Sequence, residues 1–281
     1  MPAMMNPPTS AATSKGQVQL YIEGPVAQVV ICHPGKLNAM SRVMWRQLRE
    51  VFEGLHDNPS LRCVVLRGDG GHFCAGGDIS EYPAFRFDEA ALRHFHEVEV
   101  WGGLQAMLAC DVPVVAHIEG NCMGAGLEIA SCCDIRLATL NAKFGAPIAK
   151  LGFPMAPREA ALVLSQLGAT LTRQVLLEAS VIDAASLHAG GFLSALLPGS
   201  SSGSEIEVAR RVARLCALAP QAARLNKQTI RALNPYYNPN NIGSDAIESV
   251  ATLLSQAYTY ATSDEHREGI DAFLNKRQPT F

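Results

Sequence analysis

Apolar runs and amphipathic stretches alternate through the first half of the chain. Residues 18–23 and 26–32 alternate or run apolar on either side of Gly24-Pro25, which predicts a hairpin or two consecutive strands. Ser41 reads as the N-cap of a helix that continues to about Asp57, where Asn58-Pro59 stops it. Residues 61–66 read as a short buried strand that ends in an RGDGG turn. A long helical stretch follows over 88–109, then a buried strand over 112–118. Gly120 and the turn Gly124-Ala125-Gly126 lead into an apolar helix over 127–132, with another short strand over 135–138. This alternation predicts βαβ units and a largely parallel sheet.

From Arg158 onward the period is helical. The windows are 159–167, 171–178, 184–189, 205–218, 220–233, 245–260 and 264–276. Residues 199–203 (GSSSG) read as a flexible connector, and 234–241 as a Pro/Asn-rich loop. The predicted fold class is an α/β body followed by a helical C-terminal part. The expected divisions are a flexible tail over 1–15, an α/β core over 16–200 and a helical region over 201–281. The tail is rich in Pro, Ser, Thr and Ala and lacks the apolar core of a signal peptide. No apolar stretch is expected to reach the length of a membrane span.

Composition narrows the function classes. With 281 residues, 48% hydrophobic and 17% charged, the chain suits one large core or two unequal domains. A net charge of -3 gives no global basic field, so neither nucleic acid nor a membrane is expected as partner. Eight cysteines are scattered without CxxC pairs, and adjacent Cys132 and Cys133 cannot readily bond to each other. Reduced thiols in a cytoplasmic protein are the expectation.

Two glycine turns are the candidate chemistry: residues 73–79 (FCAGGDI) and 120–128 (GNCMGAGLE). Small-residue turns at helix starts leave backbone N–H groups free for an anion, and the helix dipole adds to them. The spacing of Gly120, Gly124 and Gly126 does not fit GxGxxG, and no GK[ST] or GxSxG is present. His72 with Cys74 and His94 with His96 are conceivable metal pairs, but no second pair lies at a useful spacing, so no metal is expected. Glu128 stands among small, apolar and hydroxylated residues. It is either a helix-start charge paired elsewhere or a general acid–base group whose pKa is raised by burial.

The same segments resemble the crotonase superfamily, the enoyl-CoA hydratase/isomerase family. Residues 33–40 (HPGKLNAM) are similar to its RPxxLNAL segment, 73–79 to FxAGADI, and 120–135 to GxxxGGGxELxxxCDI. Residues 181–184 (VIDA) and 268–277 (EGIDAFLNKR) match later segments, so the likeness covers roughly 17–281. The resemblance implies a spiral of ββα units with a helical C-terminal trimerisation region, and a homotrimer or hexamer. It implies a CoA thioester as substrate, with no separate cofactor, and an oxyanion hole formed by the N–H groups of Gly77 and Ala125. Where the family usually has glycine, Ala125 keeps the N–H but adds a methyl. The catalytic carboxylate carried over is Glu128. Substrate and CoA contacts carried over are Gly35, Lys36, Leu37 and Ala39 in the first segment, then Ala75, Asp78 and Ile79 in the second. Gly124, Pro147 and Ile148 follow, with Phe273 and Lys276 near the C-terminus, where the lysine reaches CoA phosphate from a neighbouring subunit. Residues 80–97 are implied to line the acyl pocket, among them Tyr82, Phe85, Arg86, Phe87, His94 and Phe95.

One departure bears on the reaction. The second catalytic glutamate of the hydratases falls at Ile148, which cannot move protons. Glu159 and Glu81 are conceivable stand-ins, each also readable as a solvated helix-start charge. The leading expectation is double-bond isomerisation or hydration of an enoyl-CoA. A CoA-thioester hydrolase or decarboxylase, and a CoA-ester binding protein with little catalysis, remain alternatives.

Overall fold

The computed structural model describes residues 15–199, 201–233 and 254–281. Its main sheet has six strands in the order β1-β2-β3-β4-β6-β9. These are β1 (Gln17–Glu23), β2 (Val26–Cys32), β3 (Cys63–Gly68), β4 (Val114–Ile118), β6 (Ile135–Thr139) and β9 (Ala195–Leu197). β1 and β2 form the expected antiparallel hairpin, and every later pair is parallel. All five residues of β4 are buried, as a central parallel strand with both faces covered requires.

A second, narrower layer contains β5 (Asn121–Met123), β7 (Lys143–Gly145) and β8 (Val181–Asp183). Isolated parallel bridges Met40↔Gly77 and Cys74↔Cys122 extend it. Each long strand is therefore followed by a short extended stretch in the second layer and then a helix. β2 leads through Met40 to α1 (Arg42–His56), and β3 through Cys74 and Gly77 to α2 (Glu89–His94) and α3 (Trp101–Ala109). β4 leads through β5 to α4 (Ala125–Ser131), and β6 through β7 to α5 (Pro157–Leu177). This repetition is the expected spiral of ββα turns. In α1, the Ser41 side chain accepts from the Met44 N–H, and Met44, Trp45, Leu48, Phe52 and Leu55 form one buried face.

Several elements differ from the sequence pattern. The helix expected over 88–109 is split by a π-helical segment, Phe95–Val100. Its wider turn brings residues five apart onto one face, so Phe95, His96 and Val100 all meet one cavity. The two helices expected over 159–178 are present, meeting at Gly168, whose φ 75 and ψ 165 break the Pro157–Leu177 span between them. By length and composition alone α5 is long enough to cross a membrane, contrary to expectation. Here it packs against α4 and buries Glu159, Leu162, Val163 and Leu167. After α6 (Ala184–Ala189), the GSSSG connector is also corrected: α7 (Ser201–Cys216) begins inside it, and Val208 seats the helix under β3 and β9.

α8 (Pro220–Leu233) is held to the body by polar contacts. Lys227 Nζ lies 2.7 Å from Asp134 and Arg231 2.8 Å from Asp111. Arg62 donates to the carbonyls of Cys216 and Phe281, tying the end of α7 and the C-terminal residue to the start of β3. The last helix, α9, spans Asp264–Leu274. The tail over 1–14, the loop expected over 234–241 and residues 245–253 of the helix expected over 245–260 lie outside the described residues; 259–262 form a 3-10 turn. All eight cysteines are free thiols.

Candidate active site

The two glycine turns come together because their strands run side by side. The Cys74 N–H donates to the Asn121 carbonyl at 2.9 Å, and the Met123 N–H to the Cys74 carbonyl at 2.8 Å. The bridge sets Cys74 beside Cys122, and three residues further along each strand lie Gly77 and Ala125. On its other side the 76–78 stretch pairs with Met40. The Met40 N–H donates to Gly76 O and the Asp78 N–H to Met40 O, both at 2.8 Å. A parallel ladder that uses the neighbours of Gly77 turns the N–H of Gly77 itself the opposite way. Ala125 is the first residue of α4, whose opening N–H groups have no helical acceptor. Among the described residues neither N–H finds a protein acceptor, and both residues line one cavity.

Local sequence makes this possible. Gly124, the N-cap of α4, has φ 48 and ψ -112, a conformation left to glycine. A Cβ on Gly126 would lie 2.6 Å from the Cys74 carbonyl oxygen, so the strands could not approach with any other residue there. Ala125 has no positive φ, so its methyl costs the helix start nothing.

The cavity has a volume of about 200 Å³ and opens to solvent. Its walls are mostly apolar, from Trp45, Phe95, Val100, Ile148, Phe153 and Met155, and two carboxyl groups enter it. Glu128, on the first turn of α4, is 7% exposed; Glu159, on the first turn of α5, is 4% exposed. His96 Nδ1 lies 2.8 Å from Glu159 Oε1. Burial, and after it the negative charge of Glu159, pushes the Glu128 carboxyl well above the ordinary value. Burial also raises the phenol of Tyr82, whose hydroxyl sits against Gly77.

Of the residues carried over from the resemblance, Gly77, Ala125, Glu128, Ala75, Ile79, Gly124, Pro147 and Ile148 line the cavity. Gly35, Lys36, Leu37, Ala39 and Asp78 do not. They flank the 75–78 turn: the Ala75 N–H donates to Leu37 O at 3.0 Å, and Lys36 Nζ lies 2.6 Å from Asp78 and 2.8 Å from Ser80 Oγ. Burial alone would raise the Asp78 carboxyl, but donation from Lys36 and Ser80 overrides it and holds the group below its ordinary value. Phe273 is 82% exposed on α9, and neither it nor Lys276 meets the cavity within this chain.

Among residues 80–97, Tyr82, Arg86, Phe95 and His96 line the cavity, whereas Phe85 packs into the core and Phe87 points to solvent. Glu81 is no stand-in for the second carboxylate: it accepts from the Arg42 backbone N–H at 2.8 Å, outside the cavity. Glu159 does enter, so its reading as a solvated helix-start charge is replaced. His96 lies within the 80–97 stretch implied to line the pocket, and its proximity to Glu159, which the sequence does not signal, arises from the π turn.

A ββα spiral that brings to one apolar cavity a raised carboxyl and two residues whose N–H groups meet no protein acceptor among the described residues suits the handling of activated acyl groups. Comparison with known proteins specifies it: the chain belongs to the enoyl-CoA hydratase/isomerase family, whose model matches residues 21–281. It is 30% identical over 257 residues to the 2,3-dehydroadipyl-CoA hydratase of Escherichia coli K12, covering 91% of this chain and 94% of that protein. It is 25% identical over 266 residues to a mitochondrial Delta(3,5)-Delta(2,4)-dienoyl-CoA isomerase of Dictyostelium discoideum, covering 91% and 87%. Among solved structures, an enoyl-CoA hydratase/carnitine racemase from Magnetospirillum magneticum superposes with a TM-score of 0.84 at 34% identity, covering 94% of each chain.

Proposed function

We propose that this enzyme adds water across the 2,3 double bond of an enoyl-CoA. The observation that carries the proposal is the entry of Glu159 into the cavity of Glu128, which restores a second carboxylate where Ile148 offers none. The thioester carbonyl oxygen accepts from the N–H groups of Gly77 and Ala125. The Glu159 carboxylate, steadied by His96, takes a proton from water as the water oxygen bonds to C3. Electrons move through the C2–C3 bond to the thioester oxygen and form an enolate. The protonated Glu128 then delivers its proton to C2, and proton exchange between the two carboxyl groups restores the starting state. CoA is the handle of the substrate, and these steps need no separate cofactor or metal.

CoA would leave the cavity past Gly35, Lys36, Leu37, Ala39 and Asp78, and Phe273 and Lys276 would serve the site of a neighbouring subunit. A homotrimer or hexamer is supported by apolar side chains left on the helical part: Ile230, Leu233, Ile270, Phe273 and Leu274 are all more than half exposed.

A second reading, double-bond isomerisation, is favoured by Glu128 itself. One carboxyl beside an oxyanion hole can move a proton between carbons of an enolate. A panel of CoA esters followed by mass spectrometry separates the reactions. Hydration adds the mass of water, isomerisation leaves mass unchanged, decarboxylation loses carbon dioxide, and hydrolysis frees the CoA thiol. Water gain on 2-enoyl esters supports the proposal. Thiol release or unchanged ligand across the panel contradicts it and favours a hydrolase or a binding protein.

A further inference from the structure

The proposed reaction leaves one charged group in the cavity without a task. Arg86 follows the 3-10 turn that begins after Gly77, and its side chain lines the cavity with Glu128 and Glu159. The guanidinium carbon stacks 3.4 Å over the centre of the Phe153 ring and lies 4.6 Å from that of Tyr82. Stacking on the Phe153 face, with the Tyr82 ring inclined 70° to it alongside, restricts the plane of the fork. Nη1 is buried and meets no protein acceptor. No carboxylate contacts the group among the described residues, since the nearby Glu159 is taken by His96. Burial lowers the Arg86 pKa, partly offset by the nearby Glu159 carboxylate. Arginine stays protonated in proteins all the same.

A plain alkyl chain filling such a cavity would cover the rest of the half-buried guanidinium and return no acceptor, which leaves a buried cation unpaired. A ligand oxyanion would accept from the fork, and a carboxylate matches its planar geometry with two parallel bonds. Resting on the reading that the thioester lies at Gly77 and Ala125, we infer that Arg86 receives a carboxylate borne on the acyl chain, so that the enzyme prefers acyl-CoA esters of dicarboxylic acids to those of simple fatty acids. Phe153 and Tyr82 orient the guanidinium, and Phe95 and Val100 pack the methylenes between the reacting carbons and the charge.

The test compares chain-matched pairs of 2-enoyl-CoA esters, with and without a terminal carboxylate, over several lengths. At the best length the unaltered enzyme should favour the carboxylated ester about 10–100-fold in kcat/KM, the range for a hydrogen-bonded charge pair. In Arg86→Met that ratio should fall to near one, and in Arg86→Lys, which keeps the charge and loses the fork, it should lie between. Calorimetry with the saturated pairs, adipoyl-CoA against hexanoyl-CoA and their homologues, reads the same preference without any reaction. Equal affinity and equal turnover at every length in the unaltered enzyme would overturn the carboxylate receptor while leaving the CoA-ester reading standing. A preference that survives in Arg86→Met would also overturn it. Failure of every CoA ester to bind would instead remove the reading on which it rests.

Discussion

Glu159 and Glu128 share one cavity, and the negative charge of Glu159 adds to burial in holding the Glu128 carboxyl well above its ordinary 4.5. Two chemically identical side chains thereby sit in different settings. The raised pKa of Glu128 favours its protonated form, while Glu159 lies 2.8 Å from His96 Nδ1. An acid and a base side by side are what reversible addition of water requires.

Glu128→Gln preserves the shape of the side chain and removes its exchangeable acid. Turnover should fall roughly 10²–10⁴-fold while affinity for a saturated CoA ester stays within a few-fold. Steady-state kinetics beside calorimetry checks this; near-full turnover would make Glu128 structural.

The same substitution should change how stability depends on pH. Because the folded protein raises the Glu128 pKa above its ordinary 4.5, the folded state binds more protons than the unfolded state between the two values. The favourable contribution is therefore complete below about 4.5 and is lost as pH rises through the folded value, at up to about 1.4 kcal/mol per pH unit. Urea unfolding should show Glu128→Gln gaining on the unaltered protein as pH rises from 4.5 toward 8. A constant difference would refute the raised value.

Much of this site is legible in the sequence, because turn chemistry is local. The two glycine turns and the unusual setting of Glu128 follow from local signals, while the roles of Gly77 and Ala125 come from the family resemblance. Glu159 is different. Its sequence context, Pro157-Arg158-Glu159 at a helix start, is that of a solvated first turn. Only the return of α5 over α4, with the π turn that presents His96, buries it. The second layer was illegible for a related reason. β5, β7 and β8 have three residues each, too few to show a period, and they exist because successive turns of the spiral pair.

Ala125→Pro deletes the donor proposed for the thioester oxygen at the first residue of a helix, a position proline favours. The rate should fall about 10²–10³-fold with the melting temperature nearly unchanged. A folded variant with ordinary kinetics would show that the Ala125 N–H does not hold the thioester oxygen.

Burial pushes the thiols of Cys63, Cys74 and Cys133 up to about 12, and seven of the eight cysteines are buried. Titration of the native protein with a disulfide reagent at pH 8 should therefore find at most one fast thiol, Cys216, and eight after denaturation. Several fast native thiols would contradict this packing.

Light scattering should give a mass three or six times the 30.1 kDa of the chain, because the apolar side chains left on α8 and α9 need cover. A monomer at micromolar concentration would remove the role proposed for Lys276.

The most direct test of the paired carboxylates is to assay Glu159→Gln in parallel on crotonyl-CoA for water addition and on a 3-enoyl-CoA for isomerisation. The unaltered enzyme should hydrate crotonyl-CoA, and the variant should lose at least about 100-fold of that rate while losing far less of any isomerase rate. Hydration that persists at full rate in Glu159→Gln would contradict the account, because water would then be activated by a group other than the carboxylate that α5 brings to Glu128.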